Sequence, residues 1–196
     1  LGRTTRYDLD QSGRILAQTE PTGAKTKWTR DANGWVTGID DALNRHTTIV
    51  RDSKGYVTQE VFPDGKSRAY EYQVAYHALT RYTDERGNVY THTYDAGTGQ
   101  LLTSKDPLGR TTTLNWDAST GLLESAKDAL GRLTSLTYDA ARRVQTVKDA
   151  LGNVSSLTYD SNGNTATQVD PLGRTTTFIN DALGRPTQIT DSAGGL

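Results

Sequence analysis

The 196-residue sequence contains no cysteine and no methionine. Without cysteine there can be no disulfide and no thiolate metal site. Its three histidines, His46, His77 and His92, do not fall at metal-ligand spacing, so the familiar zinc patterns fail and no cofactor is expected. Hydrophobic residues make up only 34% of the chain and aromatics 8%, too little for a thick globular core. No run approaches the roughly 18 apolar residues of a membrane-spanning helix, so membrane insertion is not expected. An excess of either charge is also missing: 22 basic and 23 acidic residues are interspersed to a net −1, which leaves no electrostatic footprint for nucleic acid. The opening LGRTTRYD is already mid-repeat and carries no signal-peptide pattern, so the chain reads as a piece of a longer array.

What is present is repetition. DPLGRTTT occurs at 106–113 and again at 170–177. The equivalent of its Gly falls at Gly2, Gly23, Asn44, Gly65, Gly87, Gly109, Gly131, Gly152, Gly173 and Gly194, at intervals of 21 or 22 residues. A fixed period over the whole chain implies stacked supersecondary units, here about nine, in a single array over 1–196.

Two turns punctuate each unit. In the first, Asp opens a type I turn and Gly, tolerant of positive φ, closes it: Asp106/Gly109, Asp128/Gly131, Asp149/Gly152 and Asp170/Gly173. DALN at 41–44 places Asn there, the other residue that accepts the left-handed region. About eleven residues on comes a second turn of the same grammar, as in DANG (31–34) and DSNG (160–163). DAGTG (95–99) and DASTG (117–121) are one residue longer, and DAAR (139–142) lacks the Gly. Each Asp is therefore a turn former. Calcium ligation is not expected, since no glycine-rich nonapeptide array accompanies the acids.

The six- or seven-residue segments between turns suit strands, and the unit is a β-hairpin. Alternation puts Arg110, Thr112, Leu114 and Trp116 on one face and Thr111, Thr113 and Asn115 on the other. The second strands are less one-sided: Val57, Leu123 and Val144 have one parity, Trp35, Leu122 and Ile39 the other. The expected fold is all-β: tandem 21–22-residue hairpins forming a curved, single-layer antiparallel sheet with both faces partly wet. Its open terminal edges would favour self-association.

An aromatic followed by Asp recurs at Tyr94, Trp116, Tyr138 and Tyr159, alternating with DPLGR or DALGR. This pattern resembles the Rhs, or YD-repeat, family over essentially the whole chain, and the near-identical copies look bacterial. The resemblance implies a sheet ribbon that spirals into a hollow shell. In bacterial Rhs proteins and the B and C components of insecticidal toxin complexes, such a shell encloses a toxic C-terminal domain; in animal teneurins a related one serves adhesion. It implies a structural, non-enzymatic segment of a secreted or delivered toxin. Its partners would be the toxin domain of the same parent polypeptide and a secretion apparatus. An adhesion or carbohydrate-binding module of a secreted or cell-surface protein is the alternative, and a β-solenoid enzyme a distant third.

Departures from the pattern mark candidate sites. Arg30, Arg51 and Asn180 stand where Tyr is expected, with Trp28, Ile49 and Phe178 two residues earlier to fill the gap. The stretch at 70–83 has no second DxxG, so a longer, irregular connection is expected there. Its Tyr72, Tyr76, His77 and Tyr82 form a candidate contact surface for cargo or a sugar. PTQITDSAGG (186–195) echoes the self-cleavage site that ends Rhs cores, but Ser192 replaces the Pro expected after Asp191.

Overall fold

The computed structural model describes residues 3–192. The PTQITDSAGG stretch runs past residue 192, so its end, with Gly2 and Gly194, lies outside the described residues. The described residues form eighteen strands and no helix. The chain divides into two compact units: residues up to Gly99 together with Asp106–Leu108, and Gln100–Lys105 together with Gly109 onward.

The first unit carries β1 (Arg6–Leu9), β2 (Ile15–Thr19), β3 (Lys25–Arg30), β4 (Val36–Asp40), β5 (His46–Arg51), β6 (Val57–Val61), β7 (Ser67–Tyr72), β8 (Leu79–Thr83) and β9 (Val89–Tyr94). The second carries β10 (Leu101–Lys105), β11 (Thr111–Trp116), β12 (Leu123–Lys127), β13 (Leu133–Tyr138), β14 (Val144–Lys148), β15 (Val154–Tyr159), β16 (Thr165–Val169), β17 (Thr175–Asn180) and β18 (Pro186–Thr190). Within each unit every strand pairs antiparallel with the next in sequence.

Two kinds of ladder alternate. Inside a hairpin, such as β13/β14, four pairs are in register, and a bulge precedes the last: Thr137 faces Thr146, whereas Tyr138 faces Val144. Between hairpins, as in β12/β13, three pairs form, from Lys127 with Leu133 to Ser125 with Ser135. The bulge explains the mixed parities of the second strands. It inserts one residue opposite the Tyr position, so Val144 and Val147, three apart, both face the side that carries Tyr138 and Leu136. Strict alternation cannot anticipate this.

One face of the second unit thus carries Leu114, Ala126, Leu136, Val147, Leu157, Phe178 and Ile189. The opposite face is a field of hydroxyls: Thr137 lies 2.6 Å from Thr146, and Thr158 2.6 Å from Thr167. In the first unit the large face is mixed, running from Trp28 and Ile39 through Ile49 and Glu60 to Tyr70, Tyr82 and Tyr90. Among the described residues Ala17 and Ile49 are the only buried hydrophobic side chains, and the other buried positions are the glycines Gly34 and Gly38. Within each unit the sheet is a single layer, and its cohesion comes from main-chain ladders and edge contacts rather than from a core.

The 70–83 stretch corrects the expectation of an irregular connection. β7 and β8 are joined by Gln73–Ala78, with the Gln73 N–H donating to Ala78 O (3.0 Å) and the His77 N–H to Gln73 O (3.1 Å). The same two bonds close Asp117–Leu122 at 2.8 Å each. The connection is therefore the one-residue-longer turn already present at 117–121, with Gln73 replacing Asp and His77, at φ 50°, replacing Gly. It supplies the extra residue of the 22-residue interval between Gly65 and Gly87.

Candidate functional site

The repeated Asp residues build identical clamps. In the linker turns, which join one hairpin to the next, Asp128 Oδ1 accepts the N–H groups of Leu130 and Arg132 (both 2.9 Å), while Oδ2 accepts Arg132 Nε (2.6 Å). Asp170 is held in the same way by Leu172 and Arg174, and Asp149 by Leu151 and Asn153. Asp106 accepts Leu108 N–H at 3.0 Å. The closing glycines Gly109, Gly131, Gly152 and Gly173 have φ between 78° and 88°, the left-handed region. Hydrogen bonds from Arg132, first from its side chain and then its backbone, hold the Asp128 carboxyl below the usual range. Four hydroxyl and amide donors from Ser119 and Thr120 bring Asp117 down to about 2. The Arg or Asn four residues after Asp is thus the clamp's second half, a role visible in the repeated DPLGR spelling but not assigned from it.

The aromatic that precedes Asp has a different partner. Trp116 Nε1 donates to Leu101 O (2.8 Å), Tyr138 OH to Leu123 O (2.8 Å), Tyr159 OH to Val144 O (2.6 Å), Tyr94 OH to Leu79 O (2.9 Å) and Tyr72 OH to Val57 O (3.0 Å). Each acceptor lies fifteen residues back, at the start of the preceding second strand. Leu123, for example, lies two residues beyond the last registered pair of the β12/β13 ladder. The side chain staples adjacent hairpins where the main chain stops doing so.

This corrects the expected role of the exceptions. Arg51 Nε donates to Val36 O (3.0 Å), Arg30 reaches Ile15 O (3.1 Å) and Asn180 Nδ2 donates to Thr165 O (2.9 Å), all at the same fifteen-residue offset. Nothing two residues upstream is needed to fill a gap. The position requires a side-chain donor that reaches this carbonyl rather than an aromatic ring.

Tyr72, Tyr76, His77 and Tyr82 do not form one patch. Tyr82 lies in a stack between Tyr70 (5.3 Å) and Tyr90 (5.7 Å) on the sheet face. Tyr70 donates to Glu60 Oε2 at 2.9 Å, and burial, with that carboxylate beside it, pushes its hydroxyl up to about 12. Tyr72 and His77 meet at Tyr56, with centroids 5.4 and 4.5 Å away. Tyr76 lies over the next hairpin's turn, donating to Gly97 O at 2.5 Å. A cleft of about 660 Å³ lies at the linker-turn end of the first unit, but its acids Asp41, Asp64 and Glu85 match its bases Arg45, Lys66 and Arg86, so it presents no net charge. No group of three or more metal-ligating side chains occurs among the described residues.

The linker turns also expose leucine. Leu130, Leu151 and Leu172 are 77–88% exposed, one per hairpin along one edge of the second unit. Sequence reasoning passed over them because each reads simply as the third residue of a turn.

Hairpins joined by three-pair ladders, clamped at their turns and stapled through a fifteen-residue donor bond define a β-hairpin repeat array. The chain belongs to the Rhs repeat family: the family model for the RHS Repeat matches residues 10–46, 116–154 and 159–196, together more than half of the sequence. It is 36% identical over 89 residues to the toxin protein Tse5 of Pseudomonas aeruginosa, an alignment that covers 44% of this chain and 7% of that protein. Its fold is similar to that in crystal structures of TcdB2–TccC3 (TM-score 0.65, 15% identity) and of TcdB2–TccC3–Cdc42 (TM-score 0.60, 16% identity). Each match covers 96% of this chain and 13% of the other. The chain thus spans a small fraction of the relatives it matches.

Proposed function

We propose that this segment is a stretch of wall in an Rhs-type shell that encloses a toxic C-terminal domain of the same parent polypeptide and keeps it from its producer until delivery. The observation that carries the reading is the single-layer sheet in which, among the described residues, Ala17 and Ile49 are the only buried hydrophobic side chains, so that both faces reach solvent. Such a layer is a partition and has no interior of its own. Similarity to the toxin protein Tse5 supports a toxin context. A TcdB2–TccC3 structure, also similar in fold, was solved without its hypervariable C-terminal region, which accords with a constant wall around changing cargo. The exposed leucine edge gives a further length of array an apolar surface to cover. The segment acts by containment, not catalysis, and delivery would use a secretion apparatus.

Limited proteolysis of the parent polypeptide tests this. The region following the repeats should resist protease while the shell is folded and be digested at urea concentrations that unfold it. Digestion of that region in the native parent at the rate of an exposed linker would contradict containment.

A further inference from the structure

Along the tip-turn edge of the first unit, at the far end of the hairpins from the linker turns, one aromatic ring sits on each of three successive turns. Trp35 lies face-on against Gly55, three of its ring atoms being 2.7, 2.8 and 3.2 Å from where a Cβ would stand. Tyr56 stacks on His77 at 4.5 Å, and Tyr76 lies face-on against Gly99, with three ring atoms at 2.9–3.1 Å. Gly55, His77 and Gly99 are the positive-φ residues of consecutive tip turns. The platforms therefore repeat every two strands, about 9.6 Å.

Covering the next turn does not require a ring. Arg14 does it for Gly34, Gln100 for Gly121, Arg143 for Gly163 and Asn164 for Gly184. The aromatics exceed the structural need. Tyr56 and Tyr76 remain 42% and 47% exposed, and neither the Trp35 indole N–H nor the Tyr56 hydroxyl has a partner among the described residues.

The same substitutions leave carboxylates unneutralised. Asp10, Asp139 and Asp181 each close on the arginine four residues later. At Asp31 and Asp52 that position holds Trp35 and Tyr56, and neither carboxylate has an ion pair among the described residues. The adjacent Arg30 and Arg51 are turned to main-chain carbonyls, Gly34 O at 2.9 Å and Gly55 O at 2.8 Å.

We propose that this edge is a docking strip for a proline-rich polypeptide in the polyproline II conformation that carries a basic residue. That helix advances about 9.3 Å per three-residue turn, so prolines at every third position would meet Trp35, Tyr56 and Tyr76 in succession. Its backbone carbonyls have no internal partners and would accept from the indole and the phenol, and the basic side chain would pair with Asp31 or Asp52.

The test is fluorescence anisotropy with a labelled decaproline bearing one flanking arginine, titrated with the 196-residue chain. A Gly/Ser peptide of equal length and charge is the control. Saturable binding at least tenfold tighter than the control is expected. The double variant Trp35→Arg/Tyr56→Arg, which installs the clamp found at Asp10 and Arg14, should keep the wild-type circular dichroism and weaken binding at least tenfold. No preference for the proline peptide on the wild-type chain would overturn the proposal without recourse to any variant. So would undiminished binding by the double variant. Binding of chitohexaose, but not of the proline peptide, in a manner that the double variant abolishes would make the strip a glycan surface instead.

Discussion

The two rows of turns share one grammar and do different work. At the linker turns the closing glycine stands clear: a Cβ on Gly23, Gly65, Gly87 or Gly173 would meet nothing within 4 Å. At the tip turns the preceding hairpin leans over the glycine, as Trp35 does over Gly55 and Asn164 over Gly184. At the linker end adjacent hairpins are joined by three main-chain pairs, whereas at the tip end they are joined by side chains, through the fifteen-residue donor bond and the cover on the next turn. A glycine in the first row answers only to its backbone angle. In the second it answers to angle and space together.

Substitution of the two kinds of glycine sharpens that contrast most. Gly173→Ala should cost about 1–2 kcal/mol, the price of a left-handed L-residue. Gly55→Ala should add about 1–3 kcal/mol by displacing the Trp35 ring. Gly173→Asn should cost less than Gly173→Ala, because Asn44 already occupies such a site at φ 57°. Urea unfolding reads all three, and equal costs at Gly55 and Gly173 would erase the distinction.

Next in size is the staple. Tyr138→Phe removes the bond to Leu123 O and keeps the ring, for about 0.5–1.5 kcal/mol, whereas Arg51→Tyr should be near neutral since either side chain can donate. If Tyr138→Phe were neutral and Tyr138→Arg costly, the ring rather than the donor would be what the position selects.

The pH limits report one carboxylate in a tip turn and one phenol on the sheet face. Asp117 is lowered from 3.8 to about 2, so its contribution is present above the higher value and lost as pH falls toward the lower. Asp117→Asn should flatten the acid limb of a stability–pH curve over that window. Tyr70 is raised from 10.0 to about 12, so its contribution is present below the lower value and lost as pH climbs through the higher. Tyr70→Phe should flatten the alkaline limb. The smallest effect is expected at Arg142, which holds φ 66° in a tip turn and donates to Thr120 O. Arg142→Gly relieves the angle but loses the bond, leaving a change of about 0.5 kcal/mol or less in the thermal midpoint analysis.

Much of this was legible in the sequence because the turns are spelled in the residues that form them. Asp128 and Gly131 define a turn without reference to anything distant. The staple was not legible: Tyr138 and Leu123 are fifteen residues apart and meet only after two strands have paired, and the interchange of Tyr, Arg and Asn reads as loss of a motif until the shared acceptor is seen. The bulge escaped for a related reason, since a three-residue step from Val144 to Val147 breaks the two-residue period. The turn role of His77, singled out only as a contact residue, was missed because a histidine at positive φ has no local signature, although the 22-residue interval required an extra residue there. The contact residues Tyr72 and Tyr82 lie on paired strands, but their rings take different neighbours, Tyr56 for Tyr72 and the Tyr70 and Tyr90 stack for Tyr82.

The absence of cysteine makes the wall reading directly testable. Thr158 and Gln168 are both exposed and lie on opposite faces of the second unit, Thr158 facing Thr167 and Gln168 facing Leu157. Each can be replaced singly by cysteine and challenged with a bulky polyethylene-glycol maleimide, in the 196-residue chain and in its parent polypeptide. In the short chain both positions should label. In the folded parent, one face should remain open and the other become inaccessible until the shell is denatured. Equal labelling of Thr158→Cys and Gln168→Cys in the native parent would mean that the sheet separates nothing, and would contradict its role as a wall.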